Sequence, residues 1–255
     1  MARPIGRRGY LIGTVASLAG CDTSHPRRGF LGAMMRWNGG VQDAFLGPER
    51  LAPAPGESAT TPIDAFPKYK IGPFYPQAPP GWMLEVSGMV ERARRFRLQD
   101  LQSLPRTEIR VRHHCVEGWT AVADWHGVRV RDIAESVGAK PEAQYVEFVS
   151  FELAPGAAAL GEHDPKRGPE IEHPPSPSST YASSWDRGSA LHPQTLLAYG
   201  MNGAPLDRLH GGPLRLYSSV KLGYKMVKWL ASVRFLDRPT GGYWEDMGYD
   251  WFAGV

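Results

Sequence analysis

The chain has 255 residues, a formal net charge of +3, 42% hydrophobic and 22% charged residues. Such a composition belongs to a globular protein with a core of its own and excludes wholesale disorder. So mild a charge is not that of a dedicated nucleic-acid binder, and no apolar run reaches the roughly 18 residues of a membrane span, which excludes a multi-span membrane protein. The 29 glycines and 23 prolines favour short strands and loops over a helical bundle. Only Cys21 and Cys115 carry thiols, too few for a disulfide scaffold, so each needs its own explanation.

The N-terminus accounts for the first cysteine. Arg3, Arg7 and Arg8 precede the uncharged run Tyr10–Gly20, which is too short to span a bilayer but fits the apolar region of a signal peptide. Arg7-Arg8-Gly9-Tyr10-Leu11-Ile12 resembles a twin-arginine export signal, and Leu18-Ala19-Gly20-Cys21 resembles a bacterial lipobox, whose cleavage leaves a lipid-modified cysteine. The expectation is a signal over 1–20, export, and lipid attachment at Cys21. Several acyl chains, at about 0.8 kcal/mol per buried methylene, would then hold the protein on a membrane. The alternative is a frayed basic tail with an incidental cysteine.

Residues 21–59 read as an extended linker. From 47 to 81 the chain is proline-dense, and Phe66, Tyr69, Phe74 and Tyr75 within it suggest docking onto the domain. Farther along, 82–90 fits a strand, 98–104 a short helix stopped by Pro105, 107–113 a strand, and 130–137 a helix ended by Gly138. A buried strand follows over 145–151. The segment 153–184, rich in proline and serine, interrupts the pattern as an insertion that could rim a cleft or stand apart as a surface excursion. Residues 193–199 suggest a helix with proline in its first turn and Gly200 past its end. Strands are expected over 214–217 and 227–235, with Val227, Trp229, Ala231, Val233 and Phe235 on one face. Short helices, dominant strands and no regular βα alternation indicate an α+β domain.

Cys115 leaves the 107–113 strand inside His113-His114-Cys115-Val116-Glu117-Gly118-Trp119. Three readings compete: a buried structural cysteine, a nucleophile activated by a neighbouring histidine, or a metal ligand. No second cysteine or spaced histidine pair completes a zinc site. A lone thiolate therefore serves a metal only if a cofactor supplies the remaining donors.

Cys115-Val116-Glu117-Gly118-Trp119, with Asp124-Trp125 and Gly127-Val128 after it, resembles the cysteine motif of the sulfite oxidase superfamily, in particular the branch containing the periplasmic methionine sulfoxide reductase catalytic subunit. The similarity continues through Ser184-Trp185-Asp186, the run from Ala190 to Gly203, His210-Gly211-Gly212-Pro213-Leu214-Arg215-Leu216, and Lys221 to Trp229. The resemblance implies an α+β, sulfite oxidase-type molybdopterin-binding fold with mixed sheets and short helices over 60–240, and an aromatic tail, 241–255, packed on it. It implies one molybdenum-molybdopterin per chain, with Cys115 as the protein ligand of the metal. Pterin contacts would come from His210, Arg215 and the Met226-Val227-Lys228 run, with Ser150 as a weaker transfer.

The charges agree with that reading. His210, Arg215, Lys225 and Lys228 cluster near Gly211-Gly212, where arginine and lysine suit a phosphate and glycines let backbone amides approach an anion. The alternative is a set of solvated charges. Glu117 would face the open coordination position, where a carboxylate disfavours the anion sulfite. His210 follows the sulfite oxidase type of pterin motif, which leaves the substrate open. Asp186 would line the substrate channel or cap a helix. His113 and His114 would surround the thiolate or simply pack, and Trp119, Trp125 and Trp229 are core candidates. The expected function is exported two-electron oxygen-atom transfer on a small molecule, with sulfoxide-like reduction favoured. Alternatives are sulfite dehydrogenase-like oxidation, or a non-catalytic cofactor-binding lipoprotein. No Cys-x-x-Cys-His haem motif occurs, so the expected redox partner is a separate haem- or quinone-linked membrane protein at the periplasmic face.

Overall fold

A computed structural model describes residues 50–71, 74–153 and 180–255, with five residues between 33 and 41. The expected export signal, Cys21 and most of the expected 153–184 insertion lie outside the described residues. Strands β1 (Leu84–Gly88), β2 (Arg94–Phe96), β5 (Tyr145–Leu153), β6 (Thr180–Asp186) and β10 (Leu230–Leu236) form one sheet in the order β2-β1-β10-β5-β6. Only the β1–β10 pair in it is parallel, joining the first strand to the last. A second sheet holds β3 (Arg106–His114), β4 (Thr120–Arg129), β7 (Thr195–Met201) and β8 (Ala204–Pro205) in the order β3-β4-β7-β8, and β9 (Arg215–Ser218) also pairs with β7. Short helices α1 (Leu98–Gln102), α2 (Val130–Val137), α3 (Arg187–Ala190) and α4 (Tyr243–Asp246) complete an α+β architecture.

Helix α2 shows how the local sequence dictates its element. Val130, Ile133, Ala134 and Val137 recur at helical spacing and are all buried, while the intervening positions are polar. Gly138 ends the helix in the left-handed region (φ 65°), with its N–H returned to the last turn. Its termini match the expected ones.

Residues 193–199 depart from expectation. Residues 195–199 belong to strand β7 (Thr195–Met201), every residue of which is buried, and Pro193 and Gln194 form the turn before it. Leu197 and Tyr199 enter one core cluster and Leu196 and Ala198 the other, so alternate side chains serve opposite faces over 196–199; Met201, past an irregularity in the pairing with β4, joins the second cluster. A strand buried on both faces is an unbroken apolar run, which periodicity cannot tell from a buried helix. The strand expected over 227–235 begins at Leu230 instead. Trp229 takes φ 51°, its N–H bonds Gly211 O at 3.2 Å, and the pairing is irregular between Leu230 and Ser232. Val227 and Trp229 are nonetheless fully buried. The insertion also ends sooner than expected, because Thr180–Asp186 is β6, paired along β5.

Candidate functional site

A cavity of about 410 Å³ opens where the β3–β4 turn, the end of β5, the start of β9, the β9–β10 connection and two flanking segments, 66–71 and 243–249, converge. Cys115 is the first residue of the β3–β4 turn. Its N–H donates to Trp119 O (3.1 Å), its carbonyl accepts from Gly118 N–H (3.0 Å), and Gly118 makes the turn at φ 89°. This hairpin pins the half-buried thiol at a sheet edge, on the cavity wall. Burial pushes the thiol pKa up; the backbone N–H groups of Glu117 and Val116 oppose the shift, and the Glu117 carboxylate adds to it. His113 cannot serve it as a cationic partner, because burial, then Arg215 and His114, hold the imidazole neutral with a pKa of about 3. His113 is therefore not an activating base for the thiol.

The inner wall is electropositive. Arg215 is 4% exposed, and burial lowers its pKa to about 10. Its Nη1 donates to His210 O (2.9 Å), and the guanidinium lies over Trp125 at 4.9 Å. Lys228 lines the same cavity; burial first and Arg215 second lower it to about 7, with Glu152 opposing. Among the described residues neither cation makes an ion pair. Gly211, at φ 108°, makes room for them: a Cβ there would stand 2.9 Å from Lys228 Cβ and Cγ and 3.2 Å from Arg215 Cβ. Gly223 does the same for His113, since a Cβ would come within 2.6 Å of its Nε2.

The outer wall is aromatic and acidic. Glu117 accepts from Tyr69 Oη (2.7 Å) and Trp119 Nε1 (3.2 Å), and Tyr69 stacks on Trp119 with ring centroids 6.0 Å apart. Tyr181, Tyr224, Tyr243, Trp244 and Tyr249 continue the lining. Among the described residues no group of three or more His, Cys, Asp or Glu side chains converges to hold a metal. One thiol beside an unpaired cationic wall suits a metal whose other donors arrive on an anionic organic cofactor. The residues present therefore fit molybdopterin.

Cys115, Glu117, Arg215, Met226 and Lys228 thus meet at one cavity. Other expected contacts do not line it. His210 is buried with Nδ1 2.9 Å from Asp207, and it bears on the site through its carbonyl, which holds Arg215. Ser150 donates to Trp229 O (3.2 Å), and Val227 is core. Lys225 is engaged in a fully buried ion pair with Glu245 and also donates to Ser184 O (3.1 Å). Asp186 caps α3, accepting from Ser189 N–H at 2.7 Å, and pairs with Lys221 at 3.3 Å, away from the cavity. Trp125 and Trp229 are core, but Trp119 is a wall residue. Sequence reading did not single out Lys70, Ile71, Glu152, Tyr181, Tyr224 or the 243–249 aromatics as site residues; the density of Tyr243-Trp244 and Tyr249 was the available signal.

The family profile described as oxidoreductase molybdopterin binding domain matches residues 72–244. The chain belongs to that family. Members similar to it include a protein of Azospira oryzae named putative protein-methionine-sulfoxide reductase subunit YedZ1, 32% identical over 253 residues, covering 97% of this chain and 86% of that protein. The protein-methionine-sulfoxide reductase catalytic subunit MsrP of Xanthomonas campestris pv. campestris is 30% identical over 204 residues, covering 78% of this chain and 57% of that protein. Among solved structures, the sulfane dehydrogenase SoxCD from Paracoccus pantotrophus gives a TM-score of 0.49 at 20% identity, over 62% of this chain and 39% of that one. Family membership makes this chain a molybdopterin-dependent oxidoreductase of the sulfite oxidase superfamily, with the α+β fold described above.

Proposed function

We propose that this oxidoreductase reduces a sulfoxide-like substrate by two-electron oxygen-atom transfer, with the Cys115 thiolate as the protein's ligand to molybdenum. The observation that carries the reading is a single cavity holding both a lone half-buried thiol and two cationic side chains without ion-pair partners among the described residues. When bound, the molybdenum cofactor supplies the oxygen-atom and electron chemistry. Arg215 and Lys228 would hold its phosphate, and the anion would return to both cations the stabilisation that burial removes. Phe66, Trp119 and Met226 give the cavity an apolar lining. Glu117 presents a carboxylate at the mouth, which favours a neutral polarised substrate over an anion such as sulfite. In the overall balance the sulfoxide takes up two electrons and two protons and leaves as a thioether and water. The names of the relatives support reduction.

The electrons would come singly from a separate redox partner, a haem- or quinone-linked membrane protein. Arg7-Arg8, the apolar run after them and Leu18-Ala19-Gly20-Cys21 support export of the folded protein to the periplasmic face, with Cys21 lipidated. The test is a substrate panel on molybdenum-loaded protein with an artificial electron carrier, covering sulfoxides, N-oxides and sulfite. Sulfoxide turnover is expected; turnover of sulfite alone would overturn the reading. A reporter fusion lacking residues 1–8 should stay cytoplasmic, and a periplasmic fraction would overturn export.

A further inference from the structure

The two walls of the cavity have different origins along the chain. The inner wall, with Cys115, Arg215 and Lys228, lies within the family-matched span 72–244, whereas Phe66, Tyr69 and Lys70 precede it. This preceding segment is built in firmly. Phe66 is 3% exposed and meets His113, Trp119, Trp125 and His210 edge-on, at ring-centroid distances of 5.5 to 6.4 Å. On the other side of Tyr69, Ile71 N–H donates to the buried Glu152 Oε1 at 2.7 Å. Tyr69 sits between these anchors, half exposed, with its ring against Trp119 and its hydroxyl on the Glu117 carboxylate.

We propose that Tyr69 is a positioning residue for Glu117: its hydroxyl holds the carboxylate turned to the cavity mouth, in the orientation that meets an incoming substrate. Glu117 stands on an exposed turn, where a glutamate side chain would otherwise sample several rotamers. Two donors to one carboxylate oxygen, Tyr69 Oη and Trp119 Nε1 on Glu117 Oε2, remove that freedom. Trp119 belongs to the same turn as Glu117 and would move with it. Among the described residues Tyr69 alone ties the carboxylate to a segment outside the turn. The phenol pKa is raised above its ordinary value, first because ionisation would forfeit the bond to Glu117. This inference rests on the oxygen-transfer reading of the cavity.

The experiment compares the molybdenum-loaded full chain with Tyr69→Phe, Glu117→Gln and the double variant, using methionine sulfoxide with reduced methyl viologen, and adds crystal structures of the parent and Tyr69→Phe. Tyr69→Phe keeps the ring stack, so molybdenum content and melting temperature should match the parent. Its kcat should fall about tenfold, the size of one hydrogen bond to a charged group, with KM within about twofold. The double variant should match Glu117→Gln alone, because a residue acting through another adds nothing once that other is gone. In the crystal, the Glu117 carboxylate should leave its position in Tyr69→Phe. An unchanged kcat, or additive losses in the double variant, would overturn the proposal. If the loaded parent reduces no sulfoxide, the oxygen-transfer reading fails, and the crystals still decide Tyr69: a Glu117 carboxylate that keeps its place refutes it.

Discussion

Two groups of sequestered cations sit in this molecule and are treated in opposite ways. Lys221 and Lys225, 1% and 0% exposed, are each paired with a carboxylate, Asp186 and Glu245. Glu245 also accepts from Ser183 Oγ at 2.6 Å, so this network stitches the aromatic segment after β10 onto β6. Arg215 and Lys228 line the cavity and make no ion pair among the described residues. Taking a charge out of water costs several kcal/mol unless a partner compensates. The paired cations are part of the folded structure's own interactions, while the unpaired ones are set toward something the fold does not supply.

Breaking the paired side should have the largest effect on folding. Lys225→Met leaves Glu245 buried without its cation, and we expect a loss of about 3–5 kcal/mol in urea unfolding of the cofactor-free protein. A loss below about 1 kcal/mol would show the pair to be dispensable. Gly211→Ala should cost about 1–3 kcal/mol, since alanine is strained at this backbone angle and its Cβ would press on Lys228. It should also lower cofactor loading, checked by molybdenum content. Lys228→Met should move the other way in cofactor-free protein, within about 1 kcal/mol of the parent or more stable, while cofactor loss from loaded protein accelerates at least about tenfold. A strongly destabilised cofactor-free Lys228→Met would contradict the contrast between the two groups.

The same contrast sets a pH dependence. Lys228 titrates near 7 in the fold but near 10.4 when unfolded, so between these values the unfolded chain binds the extra proton. Stability of the cofactor-free protein should rise as pH increases from about 7 toward 10, with a slope of at most about 1.4 kcal/mol per pH unit from this group. Lys221, lowered to about 8 by burial, adds the same sign from a higher starting point. Lys228→Met should remove the part of the rise that starts near 7, and bound cofactor, by restoring the proton, should remove it too. Urea titrations across this range measure both.

How much of this was legible in the sequence depends on whether local or distant contacts decide a residue's place. Helix α2 was readable because its apolar spacing and Gly138 act within a few turns of chain. The β7 run Thr195–Met201 was not, since its strand state comes from pairing with β4, β8 and β9. Cys115, Arg215 and Lys228 stood out by residue type and reached one cavity. Lys225 and Asp186 stood out equally and went elsewhere, because each met a buried partner far along the chain, Glu245 and Lys221, that no local pattern announces. Tyr69 was visible as a docking aromatic, but its bond to Glu117, 48 positions away, is a product of the fold.

We propose Cys115, Arg215 and Lys228 as the seat of a molybdenum cofactor. The most direct test is elemental analysis of the purified full chain beside Cys115→Ser. One molybdenum per parent chain is predicted, with the metal lost or turnover abolished in Cys115→Ser. A folded parent without molybdenum, or a Cys115→Ser variant that keeps both metal and activity, would contradict it.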